Sequence, residues 1–188
     1  MAFTSKSQSQ RGTSMIEVLV TLVIIAFGLL GMAGLQSRLQ VSEMEAYQRA
    51  QALVLLNDMA SRIATNRNGV AAYAATEVAP SSNCATDFSG MSMTSVDKRE
   101  WCAALQGAAE INSSSKLGAV IGGRGCVNSL GNGEYLVTIA WQGLVPVSAP
   151  PASVTCGAGQ YDTGGATGCT ADLCRRTVTT IVRIAPLI

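Results

Sequence analysis

The sequence contains no histidine, and charged residues make up only 13% of its 188 positions. Histidine is the commonest general acid–base side chain near neutral pH, so its absence excludes Ser-His-Asp triads and Cys-His catalytic pairs. The sequence also lacks any Cys-x-x-Cys pair, so the usual ligand spacings of a zinc site are missing. We therefore expect a protein that is not an enzyme and that holds neither a metal nor a cofactor.

Clustered positive charge is also missing. The net charge is +1, and basic residues do not gather in a patch. Proteins that bind nucleic acid neutralise phosphates with grouped Lys and Arg side chains, so we expect no electrostatic nucleic-acid interface. The glycine-rich residues 122–125 are not followed by the Lys-Ser/Thr of a phosphate loop, which argues against a nucleotide site.

Apolar residues, by contrast, form one long run near the N-terminus, from Val18 to Leu35, interrupted only by Thr21. As a helix this run spans roughly 27 Å, close to the thickness of a bilayer core. Residues 1–12 carry Lys6 and Arg11 and no acid, which predicts a cytoplasmic N-terminus and a periplasmic C-terminal part. A secretory signal peptide would have a shorter core that ends at an Ala-x-Ala-like site.

Glu17 lies at the cytoplasmic edge of this run. An ionised carboxylate in lipid costs a few kcal/mol, so such a residue indicates a functional site. An acid near a helix N-terminus also suits the helix dipole, and the position alone leaves both interpretations open. A plain uncleaved anchor would not explain why the acid is there.

Residues 11–22, with Gly12 and with Glu17 five positions after it, resemble the prepilin motif of type IV pilins. The continuation in residues 28–36, GLLGMAGLQ, is similar to minor pilins of the PilV type. The resemblance implies that prepilin peptidase cleaves between Gly12 and Thr13. Thr13 departs from the Phe or Met that many family members have, and this bears on N-methylation rather than on cleavage.

The resemblance also implies roles for further residues and for partners. The new α-amino group of one subunit would neutralise Glu17 of its neighbour and so set the register between subunits. Gly28, Gly31 and Gly34 would either weaken the helix or allow close helix packing. The implied partners are the inner membrane, the assembly platform, the major pilin and other minor pilins, with which the chain would prime fibre assembly. Two alternatives stay open: a pseudopilin of a type II secretion system, and a pilus-tip adhesin or DNA-binding module.

The predicted organisation is a leader (1–12), a membrane-spanning and fibre-core segment (13–35), an amphipathic segment (36–68) and an α+β head (69–188). One helix is predicted from Thr13 to Asn66, because no proline precedes Pro80 and apolar residues recur at three- and four-residue steps. The expected docking face contains Leu39, Met44, Tyr47, Leu53, Val54, Leu56, Met59 and Ile63.

The head is predicted to contain a second helix and a small antiparallel sheet packed on the long helix. The second helix would run from Ser95 to about Ala109, with Thr94 and Asp97 as a capping box. Alternation of apolar and polar residues and an Asn-Gly turn signal predict strands at Arg124–Ser129, Tyr135–Gln142 and Arg176–Ile184. Trp101 and Trp141 are expected in the core.

All six cysteines lie in the predicted head, which indicates disulfides formed in an oxidising compartment. Six cysteines allow 15 pairings. The preferred set is Cys84–Cys102, Cys156–Cys169 and Cys126–Cys174, the first two from sequence proximity and the third from the expected adjacency of strands. The long segment from Gly143 to Cys174 would then be a loop held in place by disulfides.

Overall fold

The computed structural model describes residues 14–84, 88–108, 111–112, 115–116, 120–162 and 168–185. The chain divides into two units, Met1–Ser42 and Glu43–Ile188, and each is described separately. Its elements are α1 (Met15–Thr65), a 3-10 helix (Arg67–Tyr73), β1 (Thr76–Val78), α2 (Met93–Leu105), β2 (Ile111–Asn112), β3 (Ser115–Lys116), β4 (Arg124–Gly131), β5 (Glu134–Gln142) and β6 (Arg175–Arg183). The predicted α+β class is confirmed: the second half of α1 packs on an antiparallel sheet.

The C-terminal half of α1 buries one stripe of side chains. Its buried members are Gln48, Ala52, Leu55, Leu56, Met59 and Ile63, spaced as one face of a 3.6-residue helix. The sequence prediction named the last three of these correctly. It was wrong for Leu39, Met44, Tyr47, Leu53 and Val54, all of which are exposed. Apolar side chains occur on more than one face of this helix, so their spacing alone did not identify the face that the head covers.

The main sheet has the strand order β1-β4-β5-β6, and all three pairings are antiparallel. The predicted hairpin between β4 and β5 is confirmed. Its two-residue turn consists of Asn132 and Gly133, whose φ angles of 51° and 76° suit the left-handed conformations that a tight hairpin requires. β1 was not among the predicted strands, because three residues are too few for an alternation pattern.

The two faces of the sheet are covered differently. One face contributes Val127, Val137, Ile139 and Trp141 to a core shared with α1 and with Trp101 of α2. Both tryptophans are buried, as predicted. On the opposite face, Cys126 and Ala140 pack with Cys156 and Tyr161 from the long loop between β5 and β6. The loop therefore acts as a second covering layer over part of the sheet.

The second helix begins two residues earlier than predicted. Ser92 is its N-cap and accepts a hydrogen bond from the Ser95 amide at 3.3 Å, so the predicted capping box is wrong. The earlier start puts Thr94 and Asp97 inside the helix, where both side chains are buried against the head.

The disulfides agree with one predicted pairing and correct two. Cys84 pairs with Cys102, as expected, while Cys126 pairs with Cys156 and Cys169 pairs with Cys174. The expected adjacency of Cys126 and Cys174 fails because β5 lies between β4 and β6. Two strand spacings amount to about 10 Å, beyond the Cα separation that a disulfide can bridge. The Cys126–Cys156 bond instead ties the long loop to the sheet that it covers.

We predict that Gly125→Ala destabilises the head by about 1–3 kcal/mol through overpacking. An added Cβ would lie 2.3 Å from the Trp101 ring and 2.7 Å from Leu105. The ring has little freedom to move, because its Nε1 donates a hydrogen bond to the Leu55 carbonyl at 2.9 Å. Thermal unfolding of the full chain in detergent would measure the loss. Gly34→Ala, where a Cβ meets no atom within 4 Å, is the control; equal stability of the two variants would contradict the prediction.

Candidate functional site

The N-terminal segment of α1 is apolar on every side. Its side chains from Met15 to Leu35 are exposed, and α1 is long and apolar enough to cross a membrane. Thr21, the polar interruption, donates its hydroxyl to the Val18 carbonyl at 2.8 Å within the helix. That bond satisfies the hydroxyl without water, as a hydrocarbon environment requires. The segment therefore has the chemistry of a surface that is covered by lipid or by other apolar helices.

Glu17 lies in the first turn of α1, among exposed apolar side chains. Its amide donates to the Ser14 carbonyl at 2.9 Å, and a carboxylate in a first turn is favoured by the helix dipole. Among the residues that the structure describes, no group forms an ion pair or hydrogen bond with this carboxylate. Gly12 and Thr13, the predicted cleavage pair, lie outside the described residues. If the segment becomes buried, the Glu17 carboxylate therefore needs a compensating group from outside the described residues.

Gly28, Gly31 and Gly34 are helical, within α1. A Cβ added at any of them would meet no atom within 4 Å. The described fold therefore gives no local reason for glycine at these positions. Both interpretations from the sequence remain predictions: these glycines either allow another helix to approach closely or lower the helix stability.

Exposed apolar side chains continue along α1 well beyond the run that a bilayer would cover. Leu39, Met44, Tyr47, Leu53 and Val54 are between 41% and 64% exposed. The sequence prediction assigned these residues to the face that docks on the head. A membrane anchor needs no such residues after its span, so the span alone does not explain them.

A partly buried ion pair fixes α1 to the far end of the chain. Glu45 accepts hydrogen bonds from Nε and Nη2 of Arg176, at 3.1 and 3.2 Å, and from the Leu144 amide at 2.7 Å. Arg176 also donates to the Leu173 and Val145 carbonyls. One carboxylate thus joins α1, the start of β6 and the start of the long loop.

A second polar cluster joins the end of α1 to α2. Arg62 pairs with Asp58, Asp97 and Glu100, and Asp97 also accepts a hydrogen bond from the hydroxyl of buried Tyr73. Burial alone would lower the pKa of Arg62, but its hydrogen bonds to the three carboxylates raise that pKa above its ordinary value. Burial, together with the hydrogen bond to Asp97, raises the pKa of Tyr73. The cluster therefore holds a charged Arg62 and a neutral Tyr73 at all physiological pH values.

Hydrogen bonds and an ion pair hold the long loop between β5 and β6 in place. Tyr161 donates its hydroxyl to the Gly122 carbonyl at 2.9 Å, and burial raises the pKa of Tyr161 despite the nearby cations Arg124 and Arg175. Arg175 is buried, pairs with Asp172 at 3.1 Å and donates to the Val154 and Cys156 carbonyls. These bonds, together with the Cys126–Cys156 disulfide, order the segment between β5 and β6.

No sequence pattern marks the residues of these polar clusters as important: Glu45, Arg176, Arg62 and Tyr161. Glu45 and Arg176 are separated by 131 positions, and no motif links them. Asp97 was predicted only as part of a capping box, and Arg62 was given no role. Their pairing depends on the packing of α2 against α1, which sequence periodicity does not specify.

We predict that Glu45→Ala lowers the free energy of unfolding of the head by about 1–3 kcal/mol, because it removes the ionic partner of a partly buried guanidinium and the acceptor of the Leu144 amide. Thermal or denaturant unfolding of the full chain in detergent would measure the effect. Glu43→Ala, an exposed acid on the same helix, is the matched control. Equal effects of the two substitutions would show that the ion pair does not contribute.

We predict that head stability falls as the pH rises above about 10. Tyr73 and Tyr161 have raised pKa values in the folded state, so the unfolded chain loses these protons first, near pH 10. Their contribution is complete below that pH and is lost as the pH rises toward the folded-state values. Tyr161→Phe should show a shallower decline in midpoint temperature between pH 8 and 11. An identical decline in both proteins would contradict the role of Tyr161.

The comparison with known families agrees with the chemistry of the N-terminal segment. Residues 7–33 match a family model described as the prokaryotic N-terminal methylation motif. No curated protein and no solved structure matches the chain. The motif implies processing by prepilin peptidase and association with the membrane, and the long apolar helix fits a membrane-anchored pilin. The match supports a type IV pilin-like precursor that takes part in pilus or pseudopilus assembly.

Proposed function

We propose that the chain is a minor pilin of the PilV type, which joins other minor pilins to prime assembly of a type IV pilus. The observation that carries this proposal is the apolar surface of α1, which begins within the matched motif at Met15 and continues beyond it to Val54. Lipid can cover the first part of that surface before assembly. The helices of neighbouring subunits would cover all of it in a fibre.

The same proposal explains Glu17. Cleavage after Gly12 would create an α-amino group with a pKa near 8, which is largely charged at neutral pH. In a fibre, this amine from one subunit would neutralise Glu17 of the next, and a paired charge is tolerated where a lone one is expelled. Glu17 would then favour the single stagger between subunits that brings the two charges together.

The proposed organisation of the mature protein follows from these roles. Residues 1–12 would be removed, residues 13–35 would cross the inner membrane, and residues 36–68 would connect them to the head of residues 69–188. The three disulfides support a head outside the cytoplasm, because such bonds persist in oxidising compartments. The basic leader supports an N-terminus on the cytoplasmic side.

A pseudopilin of a secretion system is the second candidate, because the matched motif serves pilus and pseudopilus assembly alike. The GLLGMAGLQ sequence at residues 28–36, which is similar to PilV-type pilins, favours the pilus. A strain that lacks the chain should lose surface pili and keep protein secretion. Loss of secretion with normal pili would support the pseudopilin instead.

We predict that the protein isolated from membranes or sheared fibres begins at Thr13, as N-terminal sequencing would determine.

We also predict that Glu17→Ala inserts and folds normally while its amount in fibres falls by more than about tenfold. An unpaired buried charge, here the amine of the neighbouring subunit, costs about 3–5 kcal/mol, and 1.4 kcal/mol corresponds to tenfold.

Glu77→Ala, which removes an exposed acid from β1 of the head, is the control for these measurements and should enter fibres at the level of the parent chain. A protein that begins at Met1, or a Glu17→Ala variant that enters fibres normally, would contradict the proposed role of the N-terminus.

A further inference from the structure

An open cavity lies in the head where the 3-10 helix, the β4–β5 hairpin and the end of β6 meet. Its volume is about 620 Å³, within the range of roughly 300–1,000 Å³ that is typical of small-molecule sites. The residues that line it include Arg67, Asn68, Val70, Asn132, Gly133 and Ile184. The cavity therefore combines one cation and two carboxamides with an apolar wall.

Hydrogen bonds hold the walls of this cavity in place. The Ile184 amide donates to the Gly133 carbonyl at 2.8 Å, which joins the end of β6 to the hairpin. The side chain of Asn66, directly before the 3-10 helix, donates to the Thr94 hydroxyl of α2 at 3.2 Å. A site whose walls are already ordered loses little conformational freedom when a ligand binds.

The polar side chains of the cavity are available to a ligand. Among the residues that the structure describes, Arg67 forms no ion pair, and the side chains of Asn68 and Asn132 form no hydrogen bond. Glu134, the acid beside the hairpin turn, is itself paired with Arg183 at 2.7 Å. Arg67 therefore keeps a positive charge that no described acid neutralises. Other arginines do pair with an acid of the chain: Arg62, Arg124, Arg175, Arg176 and Arg183.

The chemistry of the lining identifies a class of ligand. A planar guanidinium such as that of Arg67 binds a carboxylate through two parallel hydrogen bonds. The carboxamides of Asn68 and Asn132 each offer both donors and an acceptor, which suits neighbouring hydroxyl groups. Val70 and Ile184, packed against the core on one side, offer apolar surface to the C–H groups of a ring. A carboxylate, several hydroxyls and such a ring occur together in acidic sugars.

Other classes of ligand fit this lining less well. An apolar ligand would bury the guanidinium and both carboxamides without hydrogen bonds, which is costly. Nucleic acid requires several grouped cations, and the described lining contains one. An extended peptide binds through free backbone groups, whereas the Gly133 carbonyl already accepts from the Ile184 amide.

We propose that this cavity binds an acidic saccharide, in which a sugar carboxylate pairs with Arg67. Asn68 and Asn132 hold the ring hydroxyls, and Val70 and Ile184 contact the ring. Saccharide binding goes beyond the assembly role proposed above, and it does not require incorporation into a fibre.

Titration of the purified full chain in detergent with matched disaccharides tests the proposal. Digalacturonate and galactobiose have the same rings and linkage, and they differ in that carboxylates replace the CH₂OH groups. We expect digalacturonate to bind at least about tenfold more tightly, a difference of 1.4 kcal/mol, as isothermal titration calorimetry would measure. A second pair, sialyllactose and lactose, distinguishes sialic acid from uronic acid as the source of the carboxylate.

Substitutions in the lining show whether Arg67 is responsible for this preference. Arg67 is exposed, so Arg67→Met should fold like the parent and bind both members of a pair equally weakly. Arg49→Met, the same change at an exposed position of α1, is the control and should keep the parent's preference. Asn132→Asp preserves a turn-forming residue before glycine and adds a negative charge. It should weaken digalacturonate at least about tenfold and leave galactobiose nearly unchanged.

Absent binding, or equal binding of the acidic and the neutral member of both pairs, overturns the proposal. An Arg67→Met variant that keeps the parent's preference overturns it as well. Displacement of digalacturonate by equal concentrations of acetate or inorganic phosphate would show that the cavity takes any small anion, and it would overturn the choice of a saccharide. None of these results bears on the assembly role, which the N-terminal sequence and the Glu17→Ala variant test.

Discussion

The organisation of this protein follows from one constraint: α1 carries more apolar surface than the head can bury. The head covers a single stripe, from Gln48 to Ile63. The apolar side chains on the other faces, and all of those before Leu35, remain exposed. Water is an unfavourable solvent for a surface of this extent, so its cover must come from lipid or from other helices.

The head is cross-linked by disulfides because α1 covers only one face of its sheet. The sheet must bury one face against α1, and the long loop covers part of its second face through Cys156 and Tyr161. Glycines and prolines are frequent in this loop, which forms no helix or strand in its described part. On the chain-entropy model the Cys126–Cys156 bond, with a separation of 30 residues, contributes about 3–4 kcal/mol. Covalent bonds and the buried Arg175 thus supply the order that side-chain packing alone would not give.

The sequence predicted those features that depend on local chemistry. The span of α1, the Asn-Gly hairpin and the three long strands could be identified because periodicity and turn residues are read over a few positions. The pairing of Cys84 with Cys102 was predictable from proximity. Two disulfides were not, because β5 separates β4 from β6, and strand order is a property of the whole fold. The Glu45–Arg176 pair was unpredictable for the same reason.

The distribution of covalent bonds has a mechanical consequence. All three disulfides lie within residues 84–174, and α1 contains no cysteine. If the chain is a fibre subunit, as proposed, a load on its N-terminal helix enters the head through non-covalent contacts and through the backbone that follows Thr65, with no disulfide to share it. Glu45 and Arg176 form the first ion pair along that path, ahead of the buried stripe. Tension would therefore separate α1 from the head before it disrupts the cross-linked parts, which can remain folded and accept the helix again when the load is released.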